Sequence, residues 1–242
     1  MMHPSGGAFS RVTRMAGSLD RVPASLGCCA IVLGIHWLVA KLGGVGGADA
    51  WYETLGLSRD AFLAGKPWQI LSYGLLHGSW WHVGVNVLFV LAVGSRIERM
   101  LGSLTMVRAT WFGVLGGGAC HLLLGRGILV GLSGGCLALL LLAVTLSPQS
   151  RMFPLPVSGK SLGLGIMLAA FGLALIDPAL GLPGAAAAGC WLTAHGMGAW
   201  FQVGHACHLG GGLAGWLYGC WLLRTRVTLN QLRRDRARRE LK

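Results

Sequence analysis

Six apolar runs dominate this chain: Leu26–Leu42, Ile70–Gly94, Leu104–Leu124, Ile128–Leu146, Ser161–Ile176 and His205–Leu223. Each is close to the length a helix needs to cross about 30 Å of hydrocarbon. Inside a bilayer every backbone N–H and C=O must be paired within the protein, and a helix does this within its own segment. The sequence therefore predicts an all-α membrane protein with six transmembrane helices. Composition agrees, because 54% of the 242 residues are hydrophobic and only 12% are charged. An ordinary soluble domain carries about 25% charge. The expected layout is a loose N-terminal segment over residues 1–25, one membrane domain over 26–223 and a basic tail over 224–242.

The formal net charge of +12 invites a nucleic-acid reading, but its distribution favours a membrane anchor. With both termini in the cytoplasm, the basic excess falls on one side. It comes from Arg11, Arg14 and Arg21, from Arg96, Arg99 and Arg108, from Arg151 and Lys160, and from the tail. On the other side Lys41, Arg59, Lys66 and Arg126 balance Asp49, Glu53, Asp60 and Asp177. An even number of spans obeying the positive-inside rule gives this pattern. The tail is expected to touch anionic lipid, and no nucleic-acid partner is expected. The simplicity of the chain suggests a bacterial-type inner membrane. One alternative is cleavage after the first run, where Ala48-Asp49-Ala50 resembles a signal-peptide site; the run is long for that role.

The connections carry their own signals. Residues 43–67 begin Gly-rich and then present Trp51, Tyr52 and Phe62, with Trp68 just beyond. This suits a partly helical loop at the headgroup level. Pro148, Pro154 and Pro156 require a non-helical turn over 148–160. Residues 177–203, rich in Gly and Ala with Trp191, Trp200 and Phe201, read as a long outside loop able to act as a gate. The seven cysteines show no CxxC pairing and read as small packing residues, with Cys190 left open. Gly211, Gly215 and Gly219 form a stripe that lets the last helix approach a neighbour closely. Gly134 and Gly135 offer a matching surface beside Ser133.

A few polar side chains stand inside these spans, where they are costly and face the protein interior. Ser133 lies in Gly131-Leu-Ser-Gly134-Gly135 and His208 in Cys207-His-Leu-Gly-Gly211. Counted back along their helices, both sit about 22–24 Å from the cytoplasmic face. His82 and Asn86 are four apart on one helix face and fall at nearly the same depth. His77 lies about 140° round the helix from His82 and belongs at the outer mouth of the span. A serine needs a base within hydrogen-bond reach to become a nucleophile. His208 can be that base, and no carboxylate stands at this depth to complete a triad, so a Ser-His dyad is the reading. Asn86 and His82 can supply N–H donors to an oxyanion. The start of the Ser133 helix adds a backbone N–H and a favourable dipole. A metal site from His205, Cys207 and His208 is disfavoured, because neighbouring residues point to different helix faces and His-Glu-x-x-His is absent. His36 and His121 are expected to hydrogen-bond within or at the edge of their helices. His205 is placed where it can line the cavity.

The ordered stretches Trp68-Gln-Ile-Leu-Ser-Tyr-Gly-Leu-Leu-His77-Gly-Ser-Trp-Trp-His82-Val-Gly-Val-Asn86, Glu98-Arg-Met-Leu-Gly-Ser103, Gly131-Leu-Ser133-Gly134 and His208-Leu-Gly-Gly211-Gly-Leu-Ala-Gly215 resemble the rhomboid family of intramembrane serine proteases. The resemblance runs from about Trp68 to Gly219 and implies a six-helix rhomboid-like bundle. It implies Ser133 as nucleophile, His208 as general base, His82 and Asn86 in the oxyanion hole and His77 as a support for the outer loop. It also implies cleavage of transmembrane or membrane-tethered proteins near their outer ends, without metal or cofactor. Three positions depart from the family pattern. Gln69 follows Trp68 where Arg is frequent, Leu137 replaces an aromatic residue four after the serine, and Cys207 replaces alanine. None removes a catalytic atom. The alternatives are a catalytically silent rhomboid-like factor that binds membrane proteins, and a small transporter, which lacks the paired broken segments of an inverted repeat. The oligomeric state is not legible in the sequence.

Overall fold

The computed structural model describes residues 22–43, 47–151 and 157–224. Residues 1–21 of the expected N-terminal segment, almost all of the basic tail, and Pro154 and Pro156 lie outside the described residues; the last residues of that segment, from Pro23 on, are already helical. The longer helices are α1 (Pro23–Leu42), α2 (Gly47–Leu55), α3 (Trp80–Leu101), α4 (Ser103–Leu124), α5 (Ser133–Leu146), α6 (Gly159–Ile176), α7 (Ala185–Leu192) and α8 (His205–Leu223). α1, α3, α4 and α6 are long and apolar enough to cross a membrane. No strand forms among the described residues beyond two isolated bridges, Leu57 with Leu129 and Arg151 with Ser158.

Local chemistry sets the helix starts. Pro23 occupies the first turn of α1, where its missing N–H costs nothing. Ser79 caps α3 by accepting from the His82 N–H at 3.1 Å, and Ser158 caps α6 through the Ser161 N–H at 3.1 Å. Gly102, at φ 86°, makes the reversal between α3 and α4 that a side chain would strain. Just before it, the buried Glu98 carboxylate accepts from the Ala24 and Ser25 N–H groups at 2.8 Å each. The same carboxylate accepts from the Ser25 and Ser103 hydroxyls at 2.6 and 2.7 Å. One acidic side chain thereby caps α1 and ties it to the α3–α4 corner.

The packing centre is α5, whose residues from Gly134 to Val144 are nearly all buried. It lies against α4 and α8, which also pack on each other. Small residues make these contacts close. A Cβ on Gly113 of α4 would lie 2.5 Å from the Ala138 Cβ and from the Gly134 O. On α8, a Cβ on Gly211 would strike the Gly134 backbone and one on Gly215 the Ala138 backbone. Helices with no hydrophobic drive between them associate through such close backbone contact. The outer helices show apolar side chains on their exposed faces, among them Ile31, Trp37 and Leu38 on α1 and Leu164, Leu168 and Phe171 on α6. Lipid satisfies such surfaces and water does not.

Two expected spans start later than the apolar pattern suggests. The second was expected from Ile70, yet α3 begins at Trp80. Residues Gln69–Leu75 fold instead into two short turns that bury Gln69 and Tyr73 completely. The fourth was expected from Ile128, yet α5 begins at Ser133. Residues 128–132 are not helical, and Leu129 exchanges both backbone bonds with Leu57, at 3.0 and 2.8 Å. Protein burial satisfies apolar side chains as well as lipid does, so hydropathy alone misplaces both starts. The first loop is partly helical as expected, through α2 and Arg59–Leu63. Gln69 holds it: its Oε1 accepts from the Ser58 N–H at 3.3 Å, and its Nε2 donates to the Glu53 O at 3.0 Å. Beside it the Trp68 indole N–H donates to the Thr54 O at 3.0 Å. The Gln69 departure therefore keeps an anchor in the loop.

Candidate active site

Ser133, the first residue of α5, and His208, in the first turn of α8, line one cavity of about 520 Å³ with His82 and Asn86 of α3. The backbone contacts beside them explain why. Gly134 and Gly211 touch, and a Cβ on Gly134 would lie 3.0 Å from the Cys207 Sγ. The residues flanking the serine and the histidine are thus already in van der Waals contact. The Ser133 hydroxyl and the His208 ring share the cavity without a direct hydrogen bond, a looseness common before a substrate is seated.

The third wall is built around Gly131. Its φ is 120°, and a Cβ there would fall 2.6 Å from His82 Cε1, 2.7 Å from His82 Nε2 and 3.8 Å from Asn86 Nδ2. The absence of a side chain is what lets the chain before Ser133 pass against both donors. The Gly131 N–H donates to the Tyr73 O at 2.9 Å, and the Leu132 N–H to His77 Nε2 at 3.4 Å. Asn86 is 4% exposed, yet its Nδ2 has no hydrogen-bond partner. A buried amide N–H₂ left unpaired beside a cavity is a donor available to something that enters it. At the start of α5 the Ser133 N–H belongs to the first turn, where backbone donors have no helical acceptor.

His77 lies behind this wall rather than in the cavity, fully buried in the loop before α3. Its ring is 5.1 Å from that of His82, edge to face, and its carbonyl accepts from the Tyr52 hydroxyl at 2.8 Å. His205 lines the cavity as expected, 6.2 Å ring to ring from His208, with its Nε2 at 2.7 Å from the Trp200 O. Leu137 packs with Leu140, Leu141 and Val144 against α6. Cys207 is buried with its Sγ 3.6 Å from the Tyr73 hydroxyl, which donates to the Val114 O at 2.6 Å. Among the described residues, no group of three or more His, Cys, Asp or Glu is disposed to hold a metal.

Two histidines play parts that differ from their expected ones. His121 pairs locally through Nε2, 3.3 Å from the Gly127 O, yet it also lines the cavity, and its Nδ1 is buried without a partner. His36 was expected to hydrogen-bond at its helix; its buried Nε2 has no partner, and the ring packs edge-on against Trp80 instead. The sequence carries no spacing signal for the His36–Trp80 contact, which joins residues far apart in the chain, nor for the placing of His121 in the cavity.

No curated protein matches the chain. Residues 64–225, about two thirds of its length, match the family model for the Rhomboid domain. Together with the apolar helices, that match makes the chain an integral, multi-pass membrane protein of the rhomboid family.

Proposed function

We propose that this protein is an intramembrane serine endopeptidase that cuts transmembrane or membrane-tethered proteins near the outer membrane boundary. One observation carries the reading: a serine and a histidine from separate helices open on the same cavity, opposite a buried amide N–H₂ with no partner. Rhomboid-family proteins are generally intramembrane serine proteases, which agrees with it. In this reading six helices cross the bilayer with both termini in the cytoplasm, where the basic tail meets anionic lipid.

His208 takes the proton from the Ser133 hydroxyl as its oxygen attacks the scissile carbonyl. The oxyanion that forms accepts hydrogen bonds from Asn86 Nδ2, from His82 and from the Ser133 N–H. His208 then gives the proton to the leaving amine, and an acyl-enzyme remains on Ser133. Water, activated by His208, hydrolyses that ester and restores both groups. Gly131, Gly134, Gly211 and Gly215 hold the geometry by keeping the backbones close, and His77 supports the segment before Ser133. Gly78, Trp81, Val85, Ala174 and Val203 are among the residues that line the cavity, and they give it apolar surface suited to an unwound membrane segment.

The test is a fluorophosphonate probe and a model substrate in proteoliposomes. Wild type should be labelled at Ser133 and should cleave, and Ser133→Ala should do neither. Cleavage that persists in Ser133→Ala would refute the mechanism. Substrate co-purification without product at high protein concentration would favour the catalytically silent binding factor.

A further inference from the structure

Behind the cavity wall runs a line of three imidazoles that begins outside the matched domain. His36 of α1 is 6% exposed and His77 1% exposed, and their rings stand edge to face at 6.4 Å. His77 in turn faces His82 at 5.1 Å, and His82 lines the cavity. His36 is wedged in place by Trp80, ring to ring at 4.5 Å.

The hydrogen bonds fix the chemistry of this line. His77 Nε2 accepts the Leu132 N–H, so the neutral ring carries its proton on Nδ1. That Nδ1–H is a buried donor with no protein acceptor in hydrogen-bond geometry, the Leu75 backbone beside the ring included, and the neighbouring ring offers a buried, unpartnered nitrogen, His36 Nε2. A ring separation of 6.4 Å is long for a direct bond and suits one bridging water. Buried waters occupy sites where otherwise unsatisfied polar groups converge.

We propose that His36 is a positioning residue for the active site: through one buried water it holds His77, whose Nε2 fixes the amide immediately before Ser133. The proposal rests on the proteolytic reading of the cavity. Residue 36 lies outside the matched residues 64–225, so α1 contributes to the site as well as to the fold. Loss of His36 frees the His77 ring to turn, and the Leu132 amide, and Ser133 with it, loses its register against His208. The effect falls on the chemical step, since His36 does not reach the cavity.

The experiment compares the full-length wild type with His36→Phe and His36→Gln in nanodiscs, by histidine ¹⁵N spectra and by cleavage kinetics. In wild type, His77 should be the Nδ1–H tautomer, with that proton in contact with a slowly exchanging water. His36→Phe should shift the His77 Nδ1 resonance and lower kcat by about tenfold, with KM unchanged to within about twofold. His36→Gln, which keeps a polar end, should recover kcat to within about threefold of wild type. An Nε2–H tautomer at His77, or His77 resonances indifferent to His36→Phe, overturns the proposal. Should His36→Phe fail to fold, the wild-type tautomer and the His36→Gln spectrum decide it in the same terms. If wild type neither cleaves nor takes the fluorophosphonate at Ser133, the proteolytic reading falls, while the spectra still judge the His36–His77 link.

Discussion

Replacing Gly131 with alanine tests the wall between the nucleophile and its proposed oxyanion donors. The new methyl would lie 2.6 Å from His82 Cε1 and 2.7 Å from His82 Nε2, where ordinary contact begins at about 3.4 Å. Either the imidazole retreats by about 0.8 Å or the 131–133 segment moves by as much. The backbone at φ 120° adds about 1–3 kcal/mol of strain for any L side chain. Strain of that size predicts a Tm lower by about 3–10 °C for a chain of this length. Displacing one donor by nearly 1 Å predicts a kcat about 100-fold lower, with KM changed by less than about twofold. Gly65→Ala separates the two effects, because Gly65 has φ 100° and no atom within 4 Å of its virtual Cβ. It should lose comparable stability and retain kcat. The assay is cleavage of a reconstituted substrate, with Tm measured on the same preparations. A Gly131→Ala protein with wild-type kcat would show that this contact does not control the reaction.

Three further outcomes are expected. Asn86→Ala should lower kcat by about 100-fold or more with a small loss of Tm, because the amide it removes has no partner on Nδ2 at rest and only the weak Cys136 S–H at 3.6 Å on Oδ1; a Tm drop matching the activity loss would make Asn86 structural. Glu98→Ala should cost about 3 kcal/mol or more, because it orphans two backbone N–H groups and two hydroxyls around a buried site, and an unchanged midpoint in a detergent denaturation series would contradict it. Gln69→Leu should take the side-chain acceptor from the Ser58 N–H and the Nε2 bond from the Glu53 carbonyl, while Trp68 still holds the Thr54 carbonyl, at a cost of about 1–3 kcal/mol, seen as faster proteolysis of the first loop, and equal cleavage rates would refute the anchoring role.

What could be read beforehand depended on how far apart in the chain the partners stand. His82 and Asn86 are four apart, so helical geometry alone put them on one face, and both line the cavity. The glycine stripe on the last helix announced a close neighbour, and Gly211 and Gly215 do touch α5. From Ile70 to Leu75 hydropathy reads as span, whereas Tyr73 and the following Leu76 are buried in protein rather than lipid. Residues 128–132 read as helix from the sequence, although their backbone bonds go to Leu57 and Tyr73. Neither partner is visible in a local window.

Apolar run length and low charge by themselves determined that this chain belongs in a membrane and crosses it as helices. Their physical cause is the cost of exposed backbone and charge in hydrocarbon, which acts on each segment separately. Only tertiary structure decided that α5 starts at Ser133, that Gly131 leaves room for His82, and that His36 stands behind His77. Those outcomes depend on close packing between distant segments, where tenths of an ångström and single unpaired nitrogens select the arrangement.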